Sequence, residues 1–136
     1  MIFMGMQNSI QPRKQRKFRY NAPLHLRKKM VAVHLSKELR AKLSTTKRNA
    51  PARKGDKVKV MRGEYRGKSG KIMEVSLTTL KIYVEGITRR NAKGVEKLVP
   101  VDPSNLLLLE GEFAKDRLAM LGRSGKKAVS ATAKKQ

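Results

Sequence analysis

The residues best placed to do chemistry in this chain are its cations and the glycines between them. From Gly55 to Ile72 the sequence reads Gly-Asp-Lys-Val-Lys-Val-Met-Arg-Gly-Glu-Tyr-Arg-Gly-Lys-Ser-Gly-Lys-Ile. Glycine permits positive φ and close approach of a second backbone. Arg62, Arg66, Lys68 and Lys71 stand among Gly63, Gly67 and Gly70, with Tyr65 and Ser69 beside them. A turn that shows backbone N–H groups among cations suits phosphate. The alternative is a hairpin turn whose charges face water. The stretch is no nucleotide-binding P-loop, because no Gly-Lys-Ser/Thr follows the required four-residue gap.

A second candidate is residues 11–21, QPRKQRKFRYN, with Arg13, Lys14, Arg16, Lys17 and Arg19. Phe18 and Tyr20 offer faces for base stacking, a common way of gripping RNA. No apolar face can be drawn there, so the arm is expected to order only on a partner; a solvated charge run is the bland alternative. His25, Arg27 and Lys28 continue this basic surface. A third candidate is the loop carrying Arg89, Arg90 and Lys93, with a solvated hairpin tip as the alternative reading. Catalysis has little to work with. The ten acids are scattered singly, and none pairs as general acid and base or clusters to hold catalytic metals. His25 and His34 lack further ligands, so no metal or cofactor is expected.

Composition points the same way. The chain has 136 residues, with 33 Lys and Arg against 10 Asp and Glu, a formal net charge of +23. Such an excess repels itself and implies a neutralising partner. Residues 1–54 hold 15 basic and one acidic residue, while residues 55–110 hold 11 and seven. The middle therefore reads as the folded domain, and the flanks as arms. Cysteine is absent, which removes disulfides and thiolate metal sites. No apolar run approaches the ~20 residues of a membrane span, and no secretory signal is recognisable at the start. Three methionines among the first six residues leave the initiator open.

These residues need elements to position them. Ala22-Pro23 suggests a short helix to about Val33, proline being tolerated in a first turn. Ser36 is a good N-cap for a second helix over 37–43, with Leu35, Leu39 and Leu43 as a narrow apolar stripe. Residues 44–54 read as an extended connector. Val58 and Val60 then alternate with lysines, a strand pattern. Strands follow over 71–77, with a bulge expected from broken alternation, and over 80–85, ended by Gly86. A fourth runs over 95–99, stopped by Pro100. After the turn Asp102-Pro103-Ser104-Asn105, Leu106–Leu109 reads as a strand buried on both sides. Five short strands with tight turns predict a mainly β fold, a small five-stranded barrel that is closed or nearly closed, with short N-terminal helices and basic extensions. Residues 112–121 suggest a short helix with Phe113, Leu118 and Leu121 on one side, before a low-complexity basic tail expected to be disordered. The expected division is an arm at 1–21, helices and connector at 22–54, barrel at 55–110, and helix with tail at 111–136.

The Gly55–Ile72 stretch resembles the KOW motif as carried by the universal large-subunit ribosomal protein family numbered twenty-four, twenty-six in eukaryotes. Three further blocks resemble its archaeal and eukaryotic branch: Tyr20–His25, Leu35–Arg40 and Val99–Asn105. The resemblance covers about residues 11–110 and looks archaeal in the shortness of the tail. The chain departs from the pattern at Val101-Asp102, where members usually carry Ile-His. The resemblance implies an SH3-like barrel and binding to the 5′ region of the large ribosomal RNA. It also implies a role early in subunit assembly, and a cytoplasmic place on the large subunit near the polypeptide exit. Its partners would be that RNA, neighbouring ribosomal proteins and factors at the exit, with no homo-oligomer. Two rivals are weaker. A transcription elongation factor with a KOW barrel normally carries a separate α/β domain before it, which 54 very basic residues cannot form. A membrane-surface protein needs a broad apolar helix face, which the leucine stripe does not provide.

Overall fold

The computed structural model describes residues 9–122. The first eight residues and the C-terminal tail, with the expectations attached to them, lie outside the described residues.

Alternation in the sequence becomes one mixed sheet. Its strands are β1 (Ala32–Leu35), β2 (Asn49–Pro51), β3 (Lys57–Val60), β4 (Ser69–Ser76), β5 (Lys81–Arg90), β6 (Glu96–Val101) and β7 (Leu106–Glu110). Their order is β2-β1-β7-β3-β4-β5-β6. All five strands expected from the sequence are present and form the contiguous run β7-β3-β4-β5-β6. The ladders do not show five strands closing on themselves: seven strands are paired in one sheet, and β2 and β6 are its two edges. The extra strands come from segments read as helix and connector. β1 lies parallel to β7 through His34–Leu107 and Leu35–Leu108, and β2 pairs antiparallel with β1.

Local differences have local causes. β5 does not stop at Gly86 but passes it at φ +75, with its register against β6 shifting between Tyr83 and Thr88. β6 runs through Pro100, which pairs with Tyr83; proline is tolerated because β6 is an edge and its outer side needs no donor. The bulge expected in β4 lies between Ile72 and Glu74. In β7 only Leu106 and Leu108 are buried, while Leu107 and Leu109 are half-buried.

Four α-helices surround the sheet among the described residues: α1 (Pro12–Asn21), α2 (Leu24–Met30), α3 (Lys37–Lys42) and α4 (Lys115–Gly122). α1 occupies the segment expected to lack structure of its own. Pro12 starts it, where a missing N–H costs nothing, and Phe18 alone turns inward, 7% exposed. α2 is shorter than expected because β1 begins at Ala32. α3 begins as expected, the Ser36 hydroxyl accepting the Leu39 N–H at 3.1 Å.

The interior is aliphatic. Val33, Val58, Val60, Ile72, Ile82, Val84, Leu106 and Leu108 from five strands form one core, closed on one side by Leu39 of α3 and Leu121 of α4. Leu108 is fully buried on β7, an interior strand paired on both sides. Leu108→Ala is expected to lower the unfolding free energy by about 2–5 kcal/mol, read from urea melts followed by circular dichroism.

Candidate nucleic-acid interface

The glycine-rich turn joins β3 to β4. The Gly67 N–H donates to the Val60 carbonyl and the Val60 N–H to the Lys68 carbonyl, both at 2.8 Å. Gly63 and Gly67 hold φ of +94 and +90, a region that costs other residues dearly. Because Arg66 and Lys68 also donate their N–H groups within the turn, to Gly63 and Tyr65, the expected cradle of backbone donors is used up at residues 66–68. Anion binding there falls to the side chains. Arg62, Arg66, Lys68 and Ser69 are exposed. Tyr65 is half-buried against the core, and the Lys68 ammonium lies 5.2 Å from its ring centre, within cation–π range.

The Tyr65 hydroxyl reaches the Thr88 carbonyl at 3.5 Å, which brings the turn to the root of the β5–β6 hairpin. Arg89 and Arg90 belong to the paired arms of that hairpin, opposite Lys97 and Glu96, rather than to a loop as expected. The tip is narrower, with the Asn91 N–H on the Val95 carbonyl at 3.0 Å and Lys93 exposed at its end. Arg90 donates to Glu96 at 2.9 Å, so Arg89 and Lys93 are the freer charges. The structure therefore places two segments chosen from the sequence, far apart in the chain, at one end of the molecule.

α1 forms the other pole. Arg13, Lys14, Arg16, Lys17 and Arg19 are all exposed on it. A hollow lined by Arg16, Arg19, Tyr20, Thr78, Thr79 and Leu80 separates it from the β4–β5 turn. Tyr20 is 82% exposed and offers a free ring face, whereas Phe18 is buried and cannot stack on a base without undocking the helix. Arg27 is also spoken for: its guanidinium donates to the carbonyls of Ala22, at 2.8 Å, and Tyr20. It satisfies carbonyls left open at the end of α1 and fixes α1 against α2. His25 and Lys28 are exposed on α2. Lys28 shares a groove with Arg53 and Lys54, cations that sequence reasoning did not select. Turn and hairpin lie at one end of β4 and β5, α1 at the other. Eight residues of strand separate them, on the order of 20–25 Å.

The sequence pattern of ribosomal proteins L26 (eukaryotic) and L24P (archaeal) matches residues 9–124. The chain belongs to that family. Its members are structural proteins of the large ribosomal subunit, and RNA binding is typical of them. The match runs beyond the strands to include α4, and there the structure shows what the sequence had hidden. On α4 the expected inward Leu118 is 43% exposed, while Arg117 is 1% exposed. The Arg117 guanidinium donates to both carboxylate oxygens of Asp56, at 2.9 and 2.7 Å. It also donates to the carbonyls of Glu112 and Pro51, at 3.0 and 2.9 Å, and packs 4.5 Å from the centre of the Phe113 ring. Asp56, 2% exposed, also accepts the Arg53 N–H at 3.0 Å. Asp56 is thus a buried anchor for α4, not a surface group. Arg117 and Leu121 stand four apart and face inward together; only an arginine's place on an apolar helical stripe could have signalled this.

Removing one partner of a buried ion pair strands the other, at about 3–5 kcal/mol. Arg117→Met and Asp56→Asn are each expected to destabilise the protein by roughly that amount. Their combination should cost less than the sum, with a coupling of about 1–3 kcal/mol in a double-mutant cycle. Additive losses would show that the two side chains act separately.

Proposed function

We propose that this family member binds the 5′ region of the large-subunit ribosomal RNA and supports early assembly of the subunit. We place it near the polypeptide exit, in cytoplasmic ribosomes of archaeal type. What carries the reading is the disposition of charge on a chain of this family. Exposed cations cluster at two poles, one on the Gly63–Gly67 turn and β5–β6 hairpin and one on α1, held apart by a rigid pair of strands. Two separated cationic poles can hold two RNA segments at once, because neutralised phosphates no longer force neighbouring helices apart. Arg62, Arg66, Lys68, Arg89 and Lys93 serve one segment. Arg13, Lys14, Arg16, Lys17 and Arg19 serve the other, with Tyr20 stacking on an exposed base. Neighbouring ribosomal proteins, and factors acting at the exit, would meet the remaining surface.

Binding of this kind is driven by release of counterions, so it weakens steeply with salt. With on the order of ten phosphate contacts, affinity for a 5′ large-subunit RNA fragment should fall ~10³-fold or more from low to moderate salt. Filter binding across a salt series measures this. Alanine at Arg13, Lys14, Arg16 and Lys17 together should lower the slope of log affinity on log salt by about three to four. A flat salt response in the unaltered protein would reject phosphate binding as its mode of action.

A further inference from the structure

The outer face of the sheet carries a row of charges that neither pole includes. Lys57 of β3 is opposite Lys71 of β4 on one side and Glu110 of β7 on the other. One residue beyond the Ile72–Val84 pair of β4 and β5, Lys71 adjoins Glu85. Four neighbouring strands thus present carboxylate, ammonium, ammonium, carboxylate in sequence. Adjacent strands are ~4.8 Å apart, so the row spans about 14 Å. All four side chains are exposed and border a cleft of about 400 Å³, within the ~300–1,000 Å³ range of ligand sites.

The floor of this cleft is bare backbone. It is made by Gly55, Gly70 and Gly111. At two of these a side chain would run inward, into atoms that lie beneath or beside the sheet. A Cβ on Gly70 would stand 2.4 Å from the Glu85 carbonyl oxygen, and one on Gly111 2.4 Å from the Asp56 carboxylate. Backbone without side chains thus lines the cleft, with cations in the middle and a carboxylate at each end.

The carboxylates are not equivalent. Glu110 lies 3.6 Å from the Lys57 ammonium and steadies it. Glu85 makes no ion pair among the described residues. In a chain of net charge +23, an unpaired carboxylate beside two lysines weakens general attraction for phosphate. A ligand carrying both a phosphate and a pair of parallel N–H donors would use every group in the row. Guanosine nucleotides have that pairing: the guanine N1–H and N2–H point the same way and match the two oxygens of one carboxylate.

We infer that the Lys57–Lys71–Glu85 row is a subsite for one unpaired guanosine of the bound RNA. Lys57 and Lys71 hold its phosphate, its base lies over the glycine floor, and Glu85 accepts from its N1–H and N2–H. The inference rests on the RNA-binding reading above and adds base selection to it.

Fluorescence anisotropy with the full chain tests it. The probes are RNA hairpins identical except at one loop position, set in oligouridine and occupied by G, inosine, A, C or U. The G hairpin should bind at least about tenfold tighter than the A hairpin, the scale of one bidentate base contact. Inosine, which lacks the 2-amino group, should fall between. Glu85→Gln should bring the G hairpin down to the level of the A hairpin while the A, C and U hairpins bind as well as before or better. Lys57→Ala with Lys71→Ala should weaken all five. Equal affinity across the loops, or a G preference that survives Glu85→Gln, overturns the subsite and leaves RNA binding standing. Failure to bind any hairpin, or a 5′ large-subunit RNA fragment, overturns RNA binding itself.

Discussion

Uncompensated positive charge is the constraint to which the whole fold answers. Thirty-three cations against ten anions repel one another and oppose compaction. Surface ion pairs cannot hold that repulsion in check: Lys57–Glu110, Lys81–Asp102 and Arg90–Glu96 are all solvent-exposed in part, and such pairs contribute little. Cohesion has to come from apolar burial and backbone ladders. That explains a core of Val, Ile and Leu on short strands, with the interior strand β7 held between β1 and β3. It also explains why so few cations turn inward. Those on the turn, hairpin and α1 stay outside, available to an anionic partner that would relieve the same repulsion.

Much of the sheet was legible because alternation is a local signal. Val58 and Val60, and Ile82 and Val84, each mark a strand and its buried face without any knowledge of their neighbours. Closure is different, since it depends on which strands pair across the chain. The turn signals suggested five strands in a closed or nearly closed barrel, but β1 and β2 extend the sheet to seven through the parallel contact of β1 with β7. Nothing local in Ala32–Leu35 announces that partner. Proline and glycine misled for a related reason. Both weaken a paired strand interior, yet Pro100 sits on an edge and Gly86 at a register shift, where the penalties do not apply. α1 was missed because a helix rich in Arg and Lys shows no apolar stripe; one phenylalanine and a fixing contact from Arg27 are enough to dock it.

The candidate interface was legible to about the same depth. Charge and glycine spacing located the turn, the hairpin and α1, and all three prove exposed. What spacing could not supply was the division of labour within them. Phe18 and Tyr20 look alike as stacking residues, but one is buried and the other free. Arg27 looks like a phosphate ligand, but carbonyl oxygens at the end of α1 occupy it. The backbone donors of the glycine turn look open to anions, but the turn closes on itself. Each difference arises from a contact between segments that the chain brings together only on folding.

The buried Asp56–Arg117 pair shows how far such contacts reach. The partners are 61 residues apart, so neither predicts the other by pattern. An ion pair inside a small core is no obvious gain in stability, because desolvation offsets much of the attraction. Its geometry gives it another consequence. Arg117 also binds the carbonyls of Pro51 and Glu112, so one guanidinium ties the end of β2, the start of β3 and the approach to α4 into a single register. A leucine could fill the volume but could not select those three partners. The Asp56 carboxylate, held where it is by this network, comes so close to Gly111 that no side chain fits there. Gly111 borders the surface cleft beside Glu110. The backbone at that edge of the sheet is therefore held from within, by a charge pair buried beneath it.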